Sequence, residues 1–126
     1  MRKIVAIAAV LLVLGTIPSV SAHESCWTTA VRPLHSPSSV LFGAYRQCEV
    51  SHQIYSLVIN AWRRTPGQSW VFLGSQTFNG PAGTALSRAI EIQGYNCAKE
   101  YKTTASGSNS NHSANSDTSP IRQPTC

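Results

Sequence analysis

The stretch INAWRRTPGQSWVFLG, residues 59–74, decides the fold. Two short apolar runs, each carrying a tryptophan, flank Arg63-Arg64-Thr65-Pro66-Gly67-Gln68. Proline second and glycine third in Thr65-Pro66-Gly67-Gln68 fit a type II turn, because proline presets a negative φ and glycine accepts the positive φ that follows. Flanks that alternate around such a turn make a β-hairpin. Pairing around the turn puts Arg64 opposite Ser69, Arg63 opposite Trp70, Trp62 opposite Val71 and Ala61 opposite Phe72. One face then carries Leu57, Ile59, Ala61, Arg63, Trp70 and Phe72. The other carries Val58, Asn60, Trp62, Val71 and Leu73. Both faces are apolar enough to need cover, from a second sheet, from loops, from a second copy or from a ligand.

Outward from the hairpin, Gly, Pro, Ser, Thr and Asn recur like turn signals, and no window holds a sustained helical apolar stripe with caps. Strands are expected over 25–31, 40–50, 54–64, 69–77, 84–93, 95–104 and 119–124. About seven short strands with regular turns predict an all-β fold, a small antiparallel two-sheet sandwich. Residues 106–119, SGSNSNHSANSDTS, hold no apolar side chain except Ala114 and are expected to form a long flexible loop, pinned downstream by Cys126.

The first residues read as an export signal. Met1-Arg2-Lys3 is a positive start, 4–14 is an apolar run of 11 residues, and Val20-Ser21-Ala22 is a small-residue cleavage pattern. The run is shorter than the ~20 residues that span a bilayer. Residues 1–22 are therefore assigned to a secretory signal peptide and 23–126 to a single secreted domain without a transmembrane segment. Removing 22 of the 126 residues leaves 104, enough for one domain with a modest core. All four cysteines, Cys26, Cys48, Cys97 and Cys126, fall in that part. An even count in a small exported chain predicts two disulfides, for which sequence alone permits three pairings. The spacings of 22, 49 and 29 residues do not resemble thiolate metal motifs. Loss of Arg2 and Lys3 reduces the basic residues from 10 to 8 against 5 acidic ones, a net charge of +3. The bases are scattered apart from Arg63-Arg64, with no dense stripe or module for nucleic acid, so no nucleic-acid partner is expected.

Cys48, Trp62 and the Tyr95-Asn96-Cys97 triplet together resemble the Cys…Trp…Tyr-x-Cys pattern of immunoglobulin-like domains. The resemblance implies a two-sheet sandwich, a Cys48–Cys97 bridge between sheets with Trp62 packed on it, and a corner closed by Tyr95. Parity departs from that pattern, since Trp62 falls opposite the Leu57, Ile59, Ala61 stripe. Cys26–Cys48 with Cys97–Cys126 stands beside it as an equal alternative.

Two kinds of chemistry remain open. After cleavage His23 would offer an amine and an imidazole to copper, with His35, His52 or His112 supplying a third nitrogen, as in a histidine brace. Asp117 is the only aspartate, the glutamates are dispersed, and no G-x-S-x-G elbow or phosphate loop is present, so no catalytic residues are assigned. Asn111-His112-Ser113 fits a glycosylation acceptor. The reading is a secreted, non-catalytic binding module, an inhibitor or toxin-like effector, for an extracellular protein or polysaccharide. Its expected contact residues are Trp62, Arg63, Arg64 and Trp70, since tryptophan and arginine dominate binding hot spots. A copper-binding protein and a structural envelope component are the alternatives.

Overall fold

The structure, a computed structural model, describes residues 26–52, 55–80, 82–109 and 112–126. Among these residues seven strands run in order: β1 (Cys26–His35), β2 (Ser39–His52), β3 (Tyr55–Arg64), β4 (Val71–Gly80), β5 (Gly83–Gln93), β6 (Glu100–Asn109) and β7 (His112–Thr118). They form two antiparallel sheets, β1-β2-β5 and β4-β3-β6-β7, packed face to face. No helix among the described residues is long and apolar enough to cross a membrane. The sandwich is compatible with an immunoglobulin-like fold. In the constant-type arrangement the fourth strand joins the first, second and fifth, whereas here β4 lies beside β3.

Period-two alternation builds the core. Val40, Phe42 and Ala44 from β2 and Leu86 and Ile90 from β5 meet Leu57, Ile59 and Ala61 from β3 and Tyr101 and Ala105 from β6. Each large apolar side chain removed from water here contributes about 1.5–3 kcal/mol. As the parity expected, Trp62 points away from this core.

The bridges are Cys26–Cys48 and Cys97–Cys126. The Cys48–Cys97 bridge implied by the resemblance does not form. Cys26 and Cys48 sit opposite each other on neighbouring strands of one sheet, so neither bridge joins the sheets across the core. The corner role assigned to Tyr95 falls to Tyr101, which is buried at the start of β6 and whose hydroxyl accepts the Asn96 N–H at 2.9 Å. Tyr95 instead stacks on His35, with ring centroids 4.0 Å apart.

The largest departure from expectation is 106–119. It is no irregular loop: β6 continues through Asn109 and His112–Thr118 is β7, paired to β6. The segment lacks apolar side chains because its inward positions answer polar groups. Arg46, on β2 and fully buried, donates from Nε to Asn109 Oδ1 at 2.6 Å. Its Nη1 donates to Thr28 Oγ1 at 2.9 Å and Asn115 Oδ1 at 2.8 Å. Asp117 Oδ2 accepts the Ala30 N–H of β1 at 2.9 Å, and Asn115 Nδ2 donates to the Cys26 carbonyl at 2.8 Å. These bonds close one flank of the sandwich between β1 and β7. Conversely, 119–124 is not a strand. Its ties to β6 are an isolated bridge from Arg122 to Tyr101 and the bonds of Ser119 with the Thr103 backbone, N–H to carbonyl at 2.9 Å and Oγ from N–H at 2.9 Å.

Gly107 faces this cluster, and a Cβ on it would stand 2.5 Å from Thr28 Oγ1 and 2.8 Å from Arg46 Cδ. Overfilling a packed interior costs about 1–3 kcal/mol. Gly107→Ala should therefore lower the urea unfolding free energy of the oxidised protein by about that amount, whereas Gly83→Ala, whose Cβ meets nothing within 4 Å, should change it little.

Candidate functional site

The β3–β4 hairpin ends in the expected turn. Gly67 has φ +81°, and the Gln68 N–H bonds the Thr65 carbonyl at 2.9 Å. The pairing beyond the turn differs from the expected register. Arg63 faces Val71 and Trp62 faces Phe72, while Trp70 precedes the strand. A register shift between Ala61 and Trp62 then sets Ala61 opposite Gly74. A one-residue slip exchanges the faces of a strand. Phe72 accordingly joins Trp62 on the outer side, and Leu73 packs against the core.

Three of the four anticipated residues come together on the outer face of the four-stranded sheet. The Arg64 guanidinium lies over the Trp70 ring, 4.3 Å from its centroid, in place of the expected Arg63. Arg64 also pairs with its cross-strand neighbour Glu100, Nε to Oε1 at 2.6 Å. Arg63 has the opposite parity and lies half-buried at the sheet end, apart from the cluster.

The residue missed in the sequence is Lys102. Its ammonium stands 4.5 Å from the Trp70 centroid and 5.8 Å from that of Trp62. Trp62 is fixed on its other sides by an edge-on contact with Phe72, centroids 5.2 Å apart, and by donation from Nε1 to Thr104 Oγ1 at 2.8 Å. The result is a ladder of alternating cations and rings, Arg64, Trp70, Lys102, Trp62 and Phe72. Lys99, on the connection before β6, adds a further cation by donating to Thr65 Oγ1 in the turn at 2.8 Å. The Cys97–Cys126 bridge and a Thr125 N–H bond to the Cys97 carbonyl, 2.9 Å, tie that connection to the C-terminal tail. No sequence motif flags Lys102, because 40 residues separate it from Trp62 and only the β3–β6 pairing makes them neighbours.

Phe72, 52% exposed, stands beside the ladder, so the outer face of the hairpin is left partly uncovered by the described residues; Val71, 54% exposed, shares the opposite parity of Arg63 at the sheet end. A second apolar surface, unanticipated from sequence, lies on the outer side of β1 and β2, where Trp27, Val31, Leu34 and Leu41 are exposed. His23 and Asn111 lie outside the described residues. Among the described residues no group of three His, Cys, Asp or Glu is placed to hold a metal.

The two tryptophans carry different structural weight. Trp62 has a hydrogen bond and a ring contact on a central strand, whereas among the described residues Trp70 has cation–π partners alone, worth about 0.5–1 kcal/mol each at exposed sites. Trp62→Ala should lower stability by about 2–4 kcal/mol and Trp70→Ala by about 1 kcal/mol or less, as read from urea unfolding of the oxidised chains.

No family model matches the chain, and no curated protein matches it. Among solved structures it is similar to a β-glucosidase from Kluyveromyces marxianus in complex with glucose, with 8% identity and a TM-score of 0.41, over 77% of this chain and 14% of that one. The selenomethionine-labelled form of that enzyme gives 8% identity and a TM-score of 0.40, over 78% and 15%. The chain thus spans about one-seventh of the enzyme's length, and a likeness at this level brings neither family nor activity to it.

Proposed function

We propose that this is a secreted, immunoglobulin-like binding module, non-catalytic, that grips an extracellular partner through the outer face of its β3–β4 hairpin. The supporting observation is the combination of Trp62, Trp70 and Phe72 with Arg64 and Lys102 on a face that no other described element packs over. Burying these rings within the domain would have been the ordinary use of a strand's second apolar face. Here the cations hold the rings in place at the surface, so little side-chain freedom is left to lose on binding. Interfaces draw most of their energy from a few such tryptophan and arginine side chains. The two local disulfides suit an exported domain of this size.

Trp70→Ala separates binding from folding, since Trp70 lies off the strand. Oxidised wild-type and Trp70→Ala proteins, added to intact cells and to isolated cell-envelope material, should differ in bound amount by about tenfold or more, as expected for loss of a hot-spot residue. Equal binding by a correctly folded Trp70→Ala protein would overturn the assignment.

A further inference from the structure

The register of the four-stranded sheet orders its outer face into cross-strand rows. The first row is Phe72, Trp62 and Lys102, with the Arg64–Glu100 pair at its side. The second is Ser75, Asn60, Thr104 and Thr118, and the third is Thr77, Val58, Ser106 and Ser116. A fourth holds Asn79, Ser56 and Ser108. Rows on one face repeat every two residues, about 6.5–7 Å, and strands lie about 4.8 Å apart. Beyond the ladder, the described outer positions in these rows present hydroxyls and amides, interrupted only by Val58. Glu100 is the single carboxylate at these outward positions, and Arg64 neutralises it. Cations therefore gather at one end of an uncharged, hydroxyl-rich surface.

We propose that this surface binds a chain of an acidic polysaccharide. Lys102 and Lys99, whose charges no carboxylate in these rows offsets, would meet its carboxylate or sulfate groups, and the Ser, Thr and Asn rows would exchange hydrogen bonds with its ring hydroxyls. The inference rests on the hairpin being a gripping surface and names the chemistry of what it grips. Charge complementarity selects the occupant. A second copy docked ladder to ladder would set like charges against each other. A protein partner would need an apolar interface centre, which the hydroxyl rows lack beyond the ladder. Nucleic acid is held by a denser run of phosphate-binding cations than these two. A polysaccharide matches both halves of the surface, through its anions at one end and its hydroxyls along the rest.

The test uses the full oxidised chain and follows tryptophan emission during titration with polygalacturonate, heparin, dextran, duplex DNA and phosphatidylglycerol vesicles. Binding is expected to polygalacturonate or heparin and not to dextran, the two acidic probes distinguishing carboxylate from sulfate. Lys102→Gln should weaken it about tenfold, the loss of a charge-assisted contact. The pair Ser106→Ala and Ser116→Ala, remote from the ladder and charge-neutral, should weaken it by about threefold to tenfold. Equal binding to DNA or vesicles, indifference to the serine pair, or no binding to either acidic polysaccharide would each overturn the proposal. If these titrations fail while Trp70→Ala still abolishes binding to cell envelopes, the ligand class is wrong and the gripping hairpin stands. If Trp70→Ala also binds envelopes normally, both fall.

Discussion

The sandwich depends on how a single buried cation is accommodated. A guanidinium removed from water costs several kcal/mol unless its donors are met, and Arg46 sits on the inner face of β2 with no exposure at all. Oxygens from three other strands surround it: Thr28 on β1, Asn109 on β6 and Asn115 on β7. That requirement sets much else. It holds β1 of one sheet against β6 and β7 of the other, fixes the register at which those strands can dock, and leaves room for nothing larger than glycine at residue 107. The opposite part of the core, around Phe42, Leu57, Ile59 and Ile90, is apolar and tolerant of repacking by comparison.

This division explains what could be read in advance. Wherever the inward positions are apolar, alternation alone locates the strands, as in 40–50, 54–64 and 84–93. The all-β two-sheet architecture follows from those strands and their turns. The 106–119 segment escaped because its strands bury Gly107 and Asn109 and turn Asn115 and Asp117 toward Arg46 and the β1 backbone, so the usual apolar signal is missing. A polar strand of this kind becomes legible only once its partner is known, and that partner lies 63 residues away for the Arg46–Asn109 bond. The predicted strand over 119–124 failed for the complementary reason: the tail after β7 is held by an isolated backbone bridge, the Ser119 bonds and one disulfide.

The candidate site was legible in kind and misplaced in detail. Trp62, Arg64 and Trp70 were visible from the hairpin. The choice between Arg63 and Arg64, however, turned on an extra residue in the connection and on a register irregularity that composition does not encode. The β3–β6 pairing brings Lys99 and Lys102 beside Arg64, so basic residues about 35–40 positions apart in sequence become neighbours in space. The ring faces are occupied by the chain's own cations, and this makes the surface a holder of positive charge more than a bare aromatic platform.

Each disulfide closes a neighbouring pair of strands: Cys26–Cys48 spans the β1–β2 hairpin, and Cys97–Cys126 encloses β6, β7 and the tail. Both links join stretches close in the chain, so oxidation does not require the two sheets to have met. The enclosed β6–β7 pair is also the part with the least apolar surface to drive its collapse. Shortening its unfolded ensemble covalently reduces the chain entropy that docking must overcome. Oxidation before the sheets dock would thus leave two pre-closed loops, with β3, β4 and β5 between them left to bring the halves together.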